Sequence, residues 1–215
     1  MSKEQKYYLK SLKREKLLVV FTQSILLIIL LGSWEILVEK NIINGFIYSS
    51  PSRIIKTIYE LFITNNLFIH IYVTLKEVII SFILGMIISF ILALILYEFK
   101  FIAKVIDPFL TMLNSLPKVA LGPLIIIIFG ANINSVIIMA LLISSIVSLI
   151  TIYNGFNNTD PYRLKLLKSF NASKIQILKI LVIPSSYPTI ITSLKLNISL
   201  TLIGVIMGEF LVSKE

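Results

Sequence analysis

Three ionisable residues inside long apolar runs are the side chains of this sequence that could act on a solute. Lys118, Lys195 and Glu209 each lie within a stretch of mostly aliphatic residues. A charge at membrane depth is costly, so each should face protein or a water-filled path. Each lysine either attracts an anionic solute or extends its charge to the membrane surface, and Lys118 could instead pair with Asp107. Glu209 either lines an outer gate or lies at the interface.

Other polar groups offer binding rather than catalysis. Asn114 and Ser115 could hydrogen-bond a solute on a path, or bond between helices. The sequence has no cysteine and a single histidine, His70, and it lacks the GxxxxGK[ST] phosphate loop. A thiolate metal site, a thiol nucleophile and a histidine relay are therefore excluded. We expect a chain that is not an enzyme and that binds no cofactor and no metal.

The composition is that of a membrane protein. Hydrophobic residues make up 57% of the 215 residues and charged residues 14%, whereas a soluble domain is about 45–50% apolar and about 25% charged. Apolar runs of about 20 residues, enough for a helix to cross a bilayer, recur along the chain. We therefore predict an all-α polytopic membrane protein. The net charge of +9 fits basic cytoplasmic loops better than nucleic-acid binding.

The apolar runs predict five spans in a single transmembrane domain at residues 17–211. The spans cover residues 17–38, 72–97, 105–129, 135–153 and 185–211, after a basic tail at 1–16, with an inner turn at 98–104 and a polar insertion at 158–184. With the N-terminus in the cytoplasm, the inner segments hold 6, 2 and 5 Lys or Arg and the outer ones 3, 0 and 1. This asymmetry favours a cytoplasmic N-terminus, with the tail on anionic lipid headgroups.

The insertion at residues 158–184 begins with the signals of a short helix. Asp160 can cap this helix, and Pro161 occupies its first position, where a missing N–H costs nothing. Asn171 falls where a chain leaves a helix in the left-handed conformation, which Asn tolerates better than most residues. The pattern predicts a short helix followed by a tight turn.

A second short helix should follow the turn. Ser173 and Gln176 have the spacing of a capping box, and Pro184 should end the helix. Helix–turn–helix units also occur in DNA-binding domains, but this one is held between membrane spans and cannot enter a groove. We therefore expect no nucleic-acid partner.

The insertion resembles a motif of ABC importer permeases, and other stretches fit the same family in order and spacing. In place of the family's Glu-Ala-Ala the chain has Lys165-Leu166-Leu167, and Asn171 stands at the turn glycine, ahead of Ile183-Pro184. The further stretches are Trp34-Glu35, Ser50-Pro51-Ser52, Asp107-Pro108 with Leu116-Pro117, Gly122-Pro123 with Phe129-Gly130, Leu202-Ile203-Gly204 and Gly208-Glu209. The chain is thus similar to the transmembrane permease subunits of type I ABC importers, most of all to the nitrate/taurine/aliphatic-sulfonate family.

This resemblance implies a permease subunit that forms the translocation path, while a separate ATP-binding subunit hydrolyses ATP. The residues in the family's coupling position are Lys165, Leu166, Leu167, Asn171, Ala172 and Ser173. The resemblance further implies a bacterial inner-membrane location, an extracytoplasmic substrate-binding protein and a homodimer. The family has six spans, of which five are visible here and the sixth is missing.

Two other functions stay open at this point. A secondary transporter usually shows inverted repeats and broken helices, and no repeat is visible in the sequence. A degenerate or truncated permease that assembles without transporting would fit the altered coupling motif. The family handles nitrate, taurine, sulfonates and vitamin precursors, so the solute should be small, and Lys118 and Lys195 favour an anion.

Overall fold

The protein folds as a series of α-helices in the parts that the structure describes. The computed structural model describes residues 3–64 and 66–212, and no strand occurs within these ranges. The α-helices are α1 (Lys3–Glu39), α2 (Gly45–Tyr48), α3 (Pro51–Ile63), α4 (Asn66–Glu98), α5 (Lys100–Ser115), α6 (Gly122–Phe129), α7 (Ile133–Asn157), α8 (Pro161–Ser169), α9 (Lys174–Ile177), α10 (Ile183–Ser185) and α11 (Tyr187–Val212). The prediction of an all-α protein is confirmed.

Four helices in residues 3–64 and 66–212 are long and apolar enough to cross a membrane. They are Leu12–Glu39 within α1, Asn66–Glu98, Ile133–Asn157 and Tyr187–Val212. In chain order they correspond to the first, second, fourth and fifth predicted spans. α1 begins at Lys3, inside the predicted basic tail, and α4 begins before the predicted start of its span at residue 72.

The segment predicted as the third span, residues 105–129, is not one continuous helix. α5 ends at Ser115, a 3-10 turn covers Lys118–Leu121, and α6 follows directly. Pro117 disfavours helical backbone at the residue before it, and Leu116 is accordingly extended, with φ −67° and ψ 141°. Pro117 therefore interrupts this segment and divides it into two helices.

The inner turn predicted over residues 98–104 is wrong, because a single residue, Phe99, connects α4 to α5. The Phe99 N–H donates to the Ile95 carbonyl at 2.9 Å, and the Phe99 carbonyl accepts from the Ala103 N–H at 3.0 Å. Phe99 thus satisfies the last bond of one helix and the first of the next, so no longer loop is required.

Residues 1–70 form one compact unit, in which α1 carries a carboxylate that caps α3. Glu35 accepts hydrogen bonds from the Ser52 N–H at 3.0 Å and from the Ser52 hydroxyl at 2.6 Å. Ser50 is the N-cap of α3, and Pro51 occupies its first turn. α3 therefore begins at the Ser50-Pro51-Ser52 stretch, and Glu35 adds a negative charge at the positive end of this helix.

Residues 71–215 form the second unit, and α7 and α11 are in close contact within it. An ideal Cβ placed on Gly204 would lie 2.6 Å from the Ala140 Cα, and one placed on Gly208 would lie 3.0 Å from the Val136 Cα. The two glycines are four residues apart, so they lie on the same face of α11. Their lack of side chains lets the backbones of α7 and α11 approach each other, as small residues do in membrane helix pairs.

Buried hydrogen bonds reinforce this unit. The Asn197 side-chain amide on α11 donates to the Ser148 hydroxyl on α7 at 2.8 Å, and within α11 the Thr201 hydroxyl donates to the side-chain oxygen of Asn197 at 3.3 Å. The Ser89 hydroxyl on α4 lies 2.9 Å from the Ser145 carbonyl on α7. Interhelical bonds of this kind contribute about 0.6 kcal/mol each in membranes, so they supplement the close packing.

Replacing Gly204 with alanine should weaken the contact between α7 and α11. The added Cβ would meet the Ala140 backbone, and overpacking of this kind costs about 1–3 kcal/mol. Gly32→Ala is the matched control: Gly32 is also helical, and nothing lies within 4 Å of its ideal Cβ. Both variants gain the same helix propensity. The unfolding temperature of Gly204→Ala should therefore lie below that of Gly32→Ala. Equal stability of the two variants would contradict the close packing at Gly204.

Candidate functional site

The 158–184 insertion opens with the helix that the sequence predicts. The Asp160 carboxylate accepts from the Tyr162 N–H at 2.8 Å as the N-cap of α8, with Pro161 at the first helical position. Arg163 lies 3.5 Å from the same carboxylate, but both side chains are largely exposed. The predicted cap is confirmed, and it fixes the point at which α8 begins.

The turn after α8 has the left-handed residue that the sequence predicts. Asn171 has φ +54°. Its N–H donates to the Lys168 carbonyl at 3.0 Å, and the Ala172 N–H donates to the Leu167 carbonyl at 3.1 Å. These two bonds are those of a Schellman motif, which satisfies the last carbonyls of a helix. Asn171 can replace the glycine that the ABC importer permeases have at this turn, because asparagine and glycine both tolerate the left-handed conformation.

The second helix begins with the predicted capping box. The Ser173 hydroxyl accepts from the Gln176 N–H, and the Ser173 N–H donates to the Gln176 side-chain oxygen at 2.7 Å. Pro184, however, does not end the helix as predicted, because helical backbone continues to Ser185. A π-helical segment, Leu178–Val182, precedes the proline. This wider turn accommodates the ring and the missing N–H that would break a regular α-helix.

The inward face of the insertion packs on the ends of α4, α5 and α7. Leu167 and Ala172 are half-buried against a core that includes Ile177 and the fully buried Phe156 of α7. The Phe156 ring makes an edge-on contact with the Tyr97 ring of α4, at 5.8 Å between centroids. Apolar contacts on this scale hold the insertion firmly on the helices that lead into the membrane.

An ion pair adds a second connection between the insertion and α4. Lys174 at the start of α9 pairs with Glu98 at the end of α4. The Lys174 side chain is 79% exposed, so the pair stabilises the fold little. A cleft of about 630 Å³ lies beside it and is lined by Leu94, Ile95, Glu98, Phe99, Ser173, Lys174, Ile175 and Leu178.

The outward face of α8 carries three large apolar side chains in one row. Tyr162, Leu166 and Phe170 are 79%, 55% and 73% exposed. Their spacing of four residues places them on one face of the helix. We call these three residues the outward stripe. A row of exposed apolar side chains on a polar loop is typical of a surface that contacts another protein.

The structure separates the predicted coupling residues into two groups. Lys165, Leu166, Asn171 and Ser173 are exposed, whereas Leu167 and Ala172 face the core. Tyr162 and Phe170 were not predicted from the sequence, although their spacing of four from Leu166 was visible there. Leu167 therefore has a packing role, and the outward stripe is left on the surface.

Among the predicted path residues, the structure brings Lys118 and Asn114 together. The Lys118 ammonium donates to the Asn114 carbonyl at 3.1 Å and lies 3.5 Å from its side-chain oxygen. Lys118 is therefore bonded one turn back along the chain rather than to Asp107. The Ser115 hydroxyl bonds the Thr111 carbonyl of its own helix at 2.9 Å, so it makes no bond between helices there.

The other two predicted path residues lie on α11. Lys195 is exposed on the helix surface. Glu209 is half-buried and accepts a hydrogen bond of 2.6 Å from the Thr74 hydroxyl of α4. Glu209 thus contacts a neighbouring helix of its own chain.

The sequence of this chain matches a family of membrane transport proteins. Residues 81–215 match the family described as the binding-protein-dependent transport system inner membrane component. This match covers more than half of the chain, and the chain belongs to this family. It is a transmembrane permease subunit of the ABC importer class, as the resemblance in the sequence predicted.

Individual relatives have different solutes in their names. The chain is 28% identical over 187 residues to a probable ABC transporter permease protein of Haemophilus influenzae, covering 87% of this chain and 76% of the other. It is 25% identical to a formylaminopyrimidine transport permease protein of Halalkalibacterium halodurans, covering 87% and 74%. It is 22% identical to a putative aliphatic sulfonates transport permease protein of Bacillus subtilis, covering 87% and 68%.

The turn at Asn171 can be tested by exchanging that residue. Asn171→Gly should keep the stability of the protein, because glycine adopts positive φ without strain. Asn171→Val should lower the free energy of unfolding by about 1–3 kcal/mol, because a β-branched residue is strained at positive φ. Thermal unfolding, with limited proteolysis of the insertion as a second readout, measures the difference. Equal behaviour of the two variants would show that the left-handed turn is not needed.

Proposed function

We propose that this chain forms the translocation path of an ATP-driven importer and that the outward stripe docks on a separate ATP-binding subunit. One observation carries the proposal: the insertion exposes an apolar row on one side and is seated on the transmembrane core by the other. An amphipathic helix lying in a groove of a partner is a common mode of protein recognition. The chain itself then needs no catalytic residue.

The seating of the insertion explains how a partner's movement would reach the membrane. Phe156 belongs to α7, and the core around it includes residues of α4, α5 and α9. A push on α8 would therefore move packed helices as a body rather than bend a loop, because packed cores transmit strain. We propose that closure of the ATP-binding subunits changes access to the path in this way.

The charge of the insertion indicates the chemistry of the docking groove. Arg163, Lys165 and Lys168 lie on α8, and all three are exposed. The resembling family has glutamate where this chain has Lys165. We propose that the groove on the ATP-binding subunit is apolar at its floor and acidic at its rim, since complementary charge favours the correct partner.

Membership of this family supports a proposal for the solute and the remaining partners. We propose a small organic solute delivered by an extracytoplasmic binding protein, with two copies of the chain enclosing the path in a bacterial inner membrane. The names of the relatives support a small solute but differ in its identity. Lys118 favours an anion, because its ammonium group lies within the broken third segment of the bundle.

Loss of the outward stripe should prevent assembly with the ATP-binding subunit. The double variant Leu166→Asp with Phe170→Asp removes two of its three apolar side chains. Loss of a central contact residue reduces the binding free energy by about 2 kcal/mol or more. Recovery of the ATP-binding subunit should therefore fall at least about tenfold. The measurement is co-purification from membranes after co-expression with the neighbouring gene for that subunit.

Two further variants make the co-purification decisive. Phe46→Asp is the matched control, because Phe46 is 94% exposed but lies outside the insertion. This variant should recover as much of the ATP-binding subunit as wild type does. Leu167→Asp should reduce folded protein instead, because Leu167 packs on the core. If the double variant still recovers the subunit, the stripe is not the docking surface. If wild type recovers none, a permease without an ATPase becomes the better description.

The orientation can be tested because the chain contains no cysteine. We expect Ala131→Cys to react with a membrane-impermeant maleimide in intact cells and Lys165→Cys to react only after lysis. Both positions are exposed, so a difference in labelling reports the side of the membrane. The reverse pattern would contradict the cytoplasmic N-terminus that the distribution of basic residues favours.

A further inference from the structure

A buried acidic residue in the second unit has no part in the proposed coupling. Glu77 of α4 is only 3% exposed. The next residue, Val78, packs in a core with Val136 of α7 and Val205 of α11. One oxygen of the Glu77 carboxyl, Oε2, is buried without a hydrogen-bond partner among the described residues. A buried carboxylate oxygen without a donor is costly, so the ionised form of Glu77 does not fit this place.

The carboxyl that faces Glu77 is that of Glu209 on α11, because Val78, next to Glu77, packs against Val205, which lies one turn before Glu209. Glu209 also accepts the Thr74 hydroxyl at 2.6 Å and is half-buried. Two groups on neighbouring turns of α4 therefore converge on one carboxyl of α11. This contact lies near the start of α4, at the end opposite to Glu98 and the insertion.

Within the described residues, the elements packed here bring no cation to the pair. On α4, His70, Tyr72 and Lys76 are exposed, and on α11 the other charged residue, Lys195, is exposed and about 20 Å further along the helix at 1.5 Å per residue. The titratable side chain of α7 is Tyr153, at its far end. The two carboxyl groups therefore face each other without a compensating basic side chain.

Two carboxylates in contact inside a membrane protein cannot both be ionised, because each charge disfavours the other and burial disfavours both. Glu209 has a donor in Thr74 and partial access to the surface, which suits the ionised form. Glu77 has neither, which suits the neutral acid. We propose that Glu77 and Glu209 form a proton-binding site, in which a protonated Glu77 donates its O–H to the Glu209 carboxylate and so joins α4 to α11.

The geometry favours a proton over a metal ion as the bound cation. Hard metal ions such as Ca²⁺ take about six to eight oxygen ligands. The site has two neighbouring carboxyl groups, and the Thr74 hydroxyl is engaged as a donor to Glu209. A single shared proton needs only the two facing oxygens, and the remaining Glu77 oxygen is then a neutral carbonyl.

The bound proton couples the stability of the fold to pH. Ionisation of Glu77 would remove the O–H that joins α4 to α11 and would place a second negative charge beside Glu209. The stability that the pair contributes should therefore be lower at high pH than at low pH. The Glu77→Gln variant keeps a neutral donor at this place and should lack this dependence.

Infrared spectroscopy of the full-length protein in lipid nanodiscs tests the proposal directly. Wild type at pH 7 should show the carbonyl band of a protonated carboxylic acid, which shifts in deuterated water. The band should be absent in Glu77→Gln and retained, at a changed frequency, in Glu209→Gln. Glu60→Gln is the control, because Glu60 is an exposed glutamate outside this unit, and it should leave the band unchanged.

Thermal unfolding of the same samples provides a second readout, on both sides of pH 7. Between about pH 5 and pH 8 the Tm of wild type should fall more than that of Glu77→Gln, and Glu77→Ala should unfold several degrees earlier than Glu77→Gln. The proposal is overturned if wild type lacks the protonated band. It is also overturned if added Na⁺ or Ca²⁺ stabilises wild type but not Glu77→Gln, since the site would then hold a metal ion.

Discussion

The close contact between α7 and α11 is the interaction on which the second unit depends. Membrane helices gain little from apolar burial against one another, because lipid is equally apolar, so they associate through tight packing and hydrogen bonds. Gly204 against Ala140 supplies the tight packing, and Asn197 with Ser148 supplies a buried hydrogen bond. α7 and α11 both extend beyond this contact, towards the insertion at one end and towards Glu77 and Glu209 at the other.

At one end, α7 leads into the insertion, and the core around Phe156 holds the insertion in place. This seating divides the residues of α8 between two tasks: Leu167 packs inward, while Leu166 is left on the surface. Neighbours in sequence point to different sides because a helix turns by about 100° per residue. The same division seats the insertion on the core and leaves an apolar row on its surface, which is the arrangement that the proposed coupling requires.

At the other end, the approach of α11 to α4 brings two acidic residues together. From the sequence alone Glu209 was a candidate for the translocation path, but in the fold it contacts Thr74 and faces Glu77. Charges inside a membrane bundle are tolerated where other groups compensate them. A bound proton is the compensation that fits the space between these two carboxyls.

Local signals in the sequence were sufficient for four of the five predicted spans, for the caps at Asp160 and Ser173, and for the left-handed turn at Asn171. These features depend on residues close together in the chain: the length of an apolar run, a side chain capping its own helix, or the backbone preference of one residue. The inward position of Leu167 and the pairing of Glu77 with Glu209 depend instead on which helices meet, and at what register. Residues 77 and 209 are distant in sequence, and their contact follows from the packing of α4 and α11, which only the tertiary structure decides.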